Sequence, residues 1–129
     1  MKVVLDTNVI VSGLLSPNGT PAAIMNLFLN DKIIILYDNR IIQEYQNVLN
    51  RPKFKFEIQT VSSLIEFIKH NGEYVIPEPV SIKFKDQDDI PFYEVACTGK
   101  ADFLRTGNLK HFPKSKDFEI VSPADFLKK

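Results

Sequence analysis

The chain has 129 residues, 44% of them hydrophobic, with sixteen basic residues, sixteen acidic residues and one cysteine, Cys97. This size and composition predict a single domain over residues 1–129. The zero net charge does not indicate a nucleic-acid partner, and one cysteine excludes an internal disulfide or a cysteine-pair zinc site. No apolar run approaches the roughly 20 residues that cross a bilayer, and Asp6 interrupts the N-terminal apolar run too early for a signal peptide, so we expect a cytoplasmic protein that does not associate with membranes.

Short β-rich runs alternate with helical stretches along the chain. The predicted strands are residues 2–5, 32–37, 73–76, 102–105 and 118–121, and the predicted helices are residues 20–30, 38–50, 60–70 and 91–100, with a last short helix after Ser122. Strands that alternate with helices of this length form parallel sheets covered on both faces. The sequence therefore predicts an α/β fold, a three-layer α/β/α sandwich around a mostly parallel sheet of about five strands.

Polar residues follow the first predicted strand directly. Asp6, Thr7 and Asn8 come after an apolar run, at the carboxyl edge where parallel sheets place their ligand sites. All three residue types also favour helix N-caps, so a capping role for Asp6 remains an equal alternative at this point.

Glu44 is a second candidate, carried by the predicted helix 38–50. Its position between Ile41 and Val48 places it at the border of the apolar stripe of that helix. Because a carboxylate near the core is unfavourable without a partner, we expect either a lysine or a metal ion beside it.

Three aspartates within four residues precede the predicted helix 91–100. One of Asp86, Asp88 and Asp89 would suffice as a cap at the helix N-terminus, and the others repel each other unless a cation binds. A solvated loop is the alternative interpretation.

A fourth polar group follows the predicted strand 102–105. Thr106 supplies a hydroxyl and Asn108 a neutral oxygen ligand, although each alone is an ordinary turn residue. A set of oxygen ligands without cysteine or histidine suits Mg²⁺ or Mn²⁺ rather than zinc. Such a site predicts hydrolysis of a phosphodiester by a metal-activated water.

Four segments carry a resemblance to a known family: residues 4–12 (VLDTNVIVS), 49–54 (LNRPKF), 86–89 (DQDD) and 101–108 (ADFLRTGN). Together and in this order they resemble PIN-domain proteins over nearly the whole chain, and most of all the VapC-like toxin components of prokaryotic toxin–antitoxin modules. The resemblance implies a Mg²⁺- or Mn²⁺-dependent endoribonuclease, masked by an antitoxin protein encoded beside it. We further expect a homodimer or a larger homo-oligomer.

The resemblance also implies roles for individual positions. Asp6 matches the first acid of the family, Glu44 the acid on the helix and Asp89 the third acid, while Asn108 stands where the family often has a fourth acid. The third acid is often found one residue later, so Asp86 and Asp88 remain alternatives to Asp89. Asn8, Asp86 and Thr106 are expected to support the site.

Two basic clusters are candidates for contact with RNA. Arg51, Lys53 and Lys55 alternate with phenylalanines that are more typical of a core, so we favour the later cluster, in which Arg105, Lys110 and Lys114 are predicted to contact phosphates.

The sequence lacks residues that two other enzyme classes require. A dehalogenase-like phosphatase requires a second aspartate where Asn8 stands, and a P-loop requires a glycine where Glu94 stands. A PIN fold with weakened catalysis that binds RNA or protein remains the alternative.

Overall fold

The computed structural model of the protein describes residues 1–84, 86–106, 112 and 118–128. Its elements in chain order are strand β1 (Lys2–Leu5), helices α1 (Thr7–Leu15) and α2 (Thr20–Leu29), strand β2 (Ile34–Tyr37), helix α3 (Asn39–Leu49), a 3₁₀ turn (Pro52–Phe54), helix α4 (Ile58–Asn71), strand β3 (Glu73–Tyr74), a second 3₁₀ turn (Gln87–Asp89), helix α5 (Ile90–Thr98), strands β4 (Phe103–Arg105) and β5 (Glu119–Val121), and helix α6 (Pro123–Leu127).

The five strands form one sheet in the order β3-β2-β1-β4-β5, and each pair of neighbours is parallel. Strand β1 lies at the centre, where Val3 is paired with Ile35 on one side and with Phe103 on the other. The prediction of a parallel sheet of five strands is confirmed. Strands β1, β2 and β4 consequently end at one edge of the sheet, and the residues that follow them lie there.

Helices cover both faces of this sheet. The consecutive residues Val3, Val4 and Leu5 are all completely buried, although neighbouring side chains of a strand point to opposite faces. Helix α2 packs against α1 and α6, and helix α3 packs against α4 and α5. Burying an aliphatic side chain contributes about 1.5–3 kcal/mol, so this two-sided core holds the sheet edge in place. Within the described residues, no helix has the length and apolarity needed to span a membrane.

Helix α1 was absent from the predicted helices. Its segment contains the run Val9, Ile10 and Val11 followed by Gly13, and β-branched residues and glycine have weak helix propensity. Most of its residues are buried, and the helix packs closely against α2. Tertiary packing therefore outweighs local propensity here, and the residues after β1 become the first turn of a helix.

Other helix ends agree with their sequence signals. The side chain of Asp38 accepts a hydrogen bond of 2.9 Å from the backbone N–H of Ile41 at the start of α3. Ser122 caps α6 in the same way, and Pro21 lies in the first turn of α2. Asp38 therefore fixes the start of the helix that carries Glu44.

Candidate active site

Acidic side chains from distant parts of the chain line one cleft beyond the carboxyl end of β1. The cleft has a volume of about 200 Å³ and is lined by Asp6, Thr7, Asn8, Glu44, Val48, Arg51, Asp86, Asp88 and Asp89. Five carboxylates and one guanidinium therefore share a small space. The structure brings together three of the four polar groups singled out in the sequence.

Asp6 is buried and lies at the base of this arrangement. The hydroxyl of Thr106 donates a hydrogen bond of 2.8 Å to Oδ2 of Asp6, across the β1–β4 pair of strands. Asp6 occupies the N-cap position of α1, yet its carboxylate makes no capping hydrogen bond. The position agrees with the capping alternative, whereas the carboxylate itself is directed to other contacts, among them the hydroxyl of Thr106.

Glu44 projects from α3 into the same cleft and is partly buried. It accepts a hydrogen bond from the hydroxyl of Thr7, and it forms no ion pair with a lysine or arginine of the described residues. Burial raises the pKa of Glu44, the bond from Thr7 opposes that shift, and the charges of Asp6, Asp88 and Asp89 raise the pKa further. The neighbouring acids thus disfavour the charged form of Glu44, and a bound cation would offset this repulsion.

The three aspartates before α5 differ from one another. The side chain of Asp86 accepts a hydrogen bond of 2.9 Å from the backbone N–H of Asp88, so Asp86 caps the 3₁₀ turn Gln87–Asp89 and not helix α5. Asp89 occupies the N-cap position of α5, but its carboxylate makes no capping hydrogen bond there. Only Asp88 and Asp89 of this trio influence the pKa of Glu44, which identifies them as its nearer electrostatic neighbours.

The donor set of the cleft consists of carboxylate, amide and hydroxyl oxygens, which suits Mg²⁺ or Mn²⁺ by chemistry. In the side-chain positions of the structure, however, no three carboxylate, histidine or cysteine groups of the described residues are close enough to hold one ion. The acids line one cleft without converging on one point. Binding one ion through three of these acids would therefore require side-chain rotation, whereas one or two acids with waters are a usual ligand set of Mg²⁺.

Tyr45 connects the two acids through the backbone. Tyr45 follows Glu44 in the sequence, and its ring is fully buried. Its hydroxyl donates a hydrogen bond of 2.5 Å to the carbonyl of Leu5, the residue before Asp6. Burial raises the pKa of Tyr45 well above its usual value, and the charges of Asp6 and Glu44 add to that effect. Tyr45 therefore stays protonated and keeps α3 attached to the end of β1.

Two arginines lie near the acids: Arg51, which belongs to the less favoured of the two basic clusters, and Arg40, which was not predicted. Arg51 lies just after α3 and lines the cleft, and the described residues offer it no ion pair. Arg40, in the first turn of α3, binds Asp38 and the buried Glu94, each at 2.8 Å. Glu94 was noted in the sequence only as a residue incompatible with a P-loop. Glu94 lies among apolar residues of α5, and this pattern in the sequence indicates an acid that needs a buried partner.

The structure corrects the prediction that Arg105 contacts RNA. Its side chain is completely buried, with the guanidinium carbon 3.1 Å from the ring centre of Phe126 and 4.2 Å from that of Phe103. Burial lowers the pKa of Arg105 to about 9. Arg105 sits in strand β4, whose side chains are all buried, so it cannot reach a phosphate. Asn108, Lys110 and Lys114 lie outside the described residues.

Comparison with known proteins agrees with this architecture. The family model of the PIN domain matches residues 2–110. A protein of Methanocaldococcus jannaschii, itself uncharacterized, is 29% identical over 104 residues, which cover 78% of this chain and 67% of that protein.

Two solved structures share the fold at low sequence identity. A chain of VapBC2 from Rickettsia felis, crystallised bound to a DNA fragment from its promoter, superposes with a TM-score of 0.62 and 15% identity, covering 95% of this chain and 98% of that one. A chain of VapBC-1 from nontypeable Haemophilus influenzae gives the same TM-score and identity, with coverage of 96% and 99%.

Proposed function

This chain belongs to the PIN domain family, and from that premise we propose that it is an endoribonuclease that hydrolyses RNA phosphodiester bonds with Mg²⁺ or Mn²⁺. The observation that carries the proposal is the cleft, in which five carboxylates face one guanidinium. Carboxylates that share one small cleft repel each other, and titratable groups perturbed in this way cluster at functional sites.

Asp6, Glu44, Asp88 and Asp89 would hold the ion, with Asn108 as a further predicted ligand outside the described residues. A bound divalent cation supplies an activated water and neutralises the charge that develops on the phosphate. Thr106 and Thr7 orient the two innermost acids, Asp6 and Glu44, through their hydroxyl hydrogen bonds. Asp86 supports the segment before α5 by accepting a hydrogen bond from the backbone N–H of Asp88, and its role is not that of a ligand.

Arg51 is the group that contacts the phosphate of the substrate. It is exposed, it lines the cleft beside Glu44 and Asp88, and no ion pair within the described residues competes for its guanidinium. Arginine binds phosphate oxygens through two parallel N–H groups. Arg51 thus takes the role that was predicted for Arg105, and Lys110 and Lys114 remain predicted contacts along the same RNA.

We propose that the protein is the toxin of a toxin–antitoxin pair, acting in the cytoplasm as one domain over residues 1–129. The support is the shared fold with chains of two VapBC structures, one from Rickettsia felis and one from Haemophilus influenzae. A cognate antitoxin that covers the cleft and a homodimer of the chain follow as parts of the same proposal.

The decisive experiment incubates the purified chain with a mixture of single-stranded RNAs in three buffers, containing Mn²⁺, Mg²⁺ or an excess of chelator. We expect cleavage in the first two buffers and none in the third, because the acids then lack the ion that makes a water reactive. Full cleavage in chelator would disprove the metal mechanism.

A catalytically weakened RNA-binding or protein-binding module is the second candidate. It is favoured by one observation, that no three acidic groups of the described chain are preassembled around an ion position. RNA binding that survives chelator, without cleavage at any Mn²⁺ concentration, would select this function.

A further inference from the structure

A second hollow adjoins the carboxylate cleft and differs from it in chemistry. It has a volume of about 500 Å³, within the range of ligand pockets. It shares the residues Glu44, Val48, Arg51 and Asp88 with the cleft, so the two are continuous. Its remaining lining is mostly neutral and polar, with the amides of Gln43, Asn47 and Gln87 and the guanidinium of Arg40.

Arg40 is held in one orientation by two buried acids. Its Nε donates to Asp38 and its Nη1 to Glu94, both at 2.8 Å. The other oxygen of Glu94 accepts a hydrogen bond of 2.8 Å from the backbone N–H of Val80, which anchors the acid in turn. An arginine has five N–H donors, so this arrangement uses two and leaves the others on a side chain that is 44% exposed. The result is a preoriented donor at the wall of the hollow.

The charges around Arg40 disfavour phosphate as its ligand. One guanidinium is paired with the two carboxylates of Asp38 and Glu94, so the local net charge is negative. Arg51, without such partners, is the better phosphate contact. What the hollow offers instead is directional hydrogen bonding, since each amide carries two donors and one acceptor oxygen.

The two amides on α3 lie side by side. Gln43 and Asn47 are four residues apart, which places them on one helix face, and Nε2 of Gln43 donates to Oδ1 of Asn47 at 3.2 Å. Guanidinium and amide groups are the side chains that read base edges, and unpaired RNA bases present those edges to proteins. The hollow therefore has the chemistry of a base site rather than a phosphate site.

We propose that this second hollow binds a nucleobase of single-stranded RNA next to the phosphate that is cleaved, and so determines the sequence preference of the enzyme. Arg40, Gln43 and Asn47 contact the base edge, whereas Asp38 and Glu94 are positioning residues that act through Arg40. The inference rests on the proposed ribonuclease function and names the substrate feature that the site selects.

The test digests a pool of RNAs of random sequence with Mn²⁺ and sequences the new ends. We expect the wild-type chain to show a base preference at one position beside the cut. In the double variant Gln43→Ala with Asn47→Ala, that preference falls by about fivefold or more, the effect of losing one base contact of about 1 kcal/mol. Arg40→Lys, which keeps the charge but loses the planar fork, reduces the same preference. Gln46→Ala is the matched control, because Gln46 lies on the same helix outside the hollow.

An equal loss of cleavage for every sequence would identify a phosphate contact and overturn the base site. A base preference that is unchanged in all variants would also overturn the base site. A second measurement separates this inference from the proposed function. The Asp6→Asn chain in chelator is mixed with the same pool, and bound RNAs are sequenced. Enrichment of particular bases that disappears with the double Gln43/Asn47 change supports the base site even if no variant cleaves RNA, and binding without enrichment contradicts it.

Discussion

Two groups of carboxylates near helix α3 are stabilised in opposite ways. Asp38 and Glu94 share the guanidinium of Arg40, with both bonds at 2.8 Å. Asp6 and Glu44 receive hydrogen bonds from threonine hydroxyls, and Glu44 has no cationic partner among the described residues. The first group is compensated by an arginine of the chain, whereas Glu44 in the second group retains a charge imbalance among the described residues that a ligand can relieve.

The largest expected effect comes from the second group, Asp6 and Glu44. Asp6→Asn and Glu44→Gln each keep the size of the side chain and remove one charge that would hold the ion. Loss of an outer-shell partner of a metal already reduces activity by about 10- to 100-fold. Because Asp6 and Glu44 are proposed as direct ligands, we expect cleavage of RNA to fall by more than about 100-fold. Glu66→Gln is the control, since Glu66 is an exposed acid of α4. Normal rates in both cleft variants would show that these acids do not take part.

The compensated group is tested by stability. Glu94→Ala leaves Arg40 with one acid and removes the acceptor of the Val80 N–H, so the free energy of unfolding should fall by about 2 kcal/mol, less than for a fully buried pair because solvent reaches Arg40. Urea unfolding measures the change. Glu94→Gln retains an acceptor, so its loss of unfolding free energy should be smaller. Glu78→Ala changes an exposed acid two residues before Val80, and its loss of unfolding free energy should be small. Equal losses for Glu94→Ala and Glu78→Ala would contradict a structural role for the ion pair.

Tyr45 links the two groups to the sheet, and its hydroxyl can be removed alone. Tyr45→Phe leaves the buried carbonyl of Leu5 without this donor, which should cost about 1 to 1.5 kcal/mol of unfolding free energy. Tyr74→Phe provides the comparison at a half-exposed ring. If both changes had the same effect in urea unfolding, the hydroxyl of Tyr45 would have no special role at the end of β1.

The smallest expected effect is a gain of stability. A carboxylate whose pKa is raised in the fold opposes folding at any pH where it is ionised, so Glu44→Gln should stabilise the metal-free chain at neutral pH. Because Glu44 is partly exposed, we expect less than about 1 kcal/mol, or a few degrees in melting temperature. Added Mn²⁺ should raise the melting temperature of the wild type and affect the variant much less. A variant that melts lower than the wild type, with an unchanged response to Mn²⁺, would contradict repulsion in the cleft.

Local patterns in the sequence were sufficient for the order of the strands, for the described helices other than α1 and for the candidate acids. Alternating periodicities report whether a segment is strand or helix, and parallel crossovers then bring the residues after β1 and β4 to one edge, as the Thr106–Asp6 bond confirms. Helix α1 was missed because its β-branched residues conceal a helix that only packing stabilises. The extent of the domain, residues 1–129, stays a prediction.

The sequence by itself therefore determined the fold class and the acidic residues of the candidate site, since both follow from periodicity and residue type. Only the tertiary structure decided which charges are compensated. Arg40 meets Glu94 across 54 positions of the chain, and Arg105 is enclosed between two aromatic rings rather than offered to RNA. The physical reason is that the partner and the exposure of a charged side chain depend on neighbours that packing supplies from distant segments, and no local pattern records them.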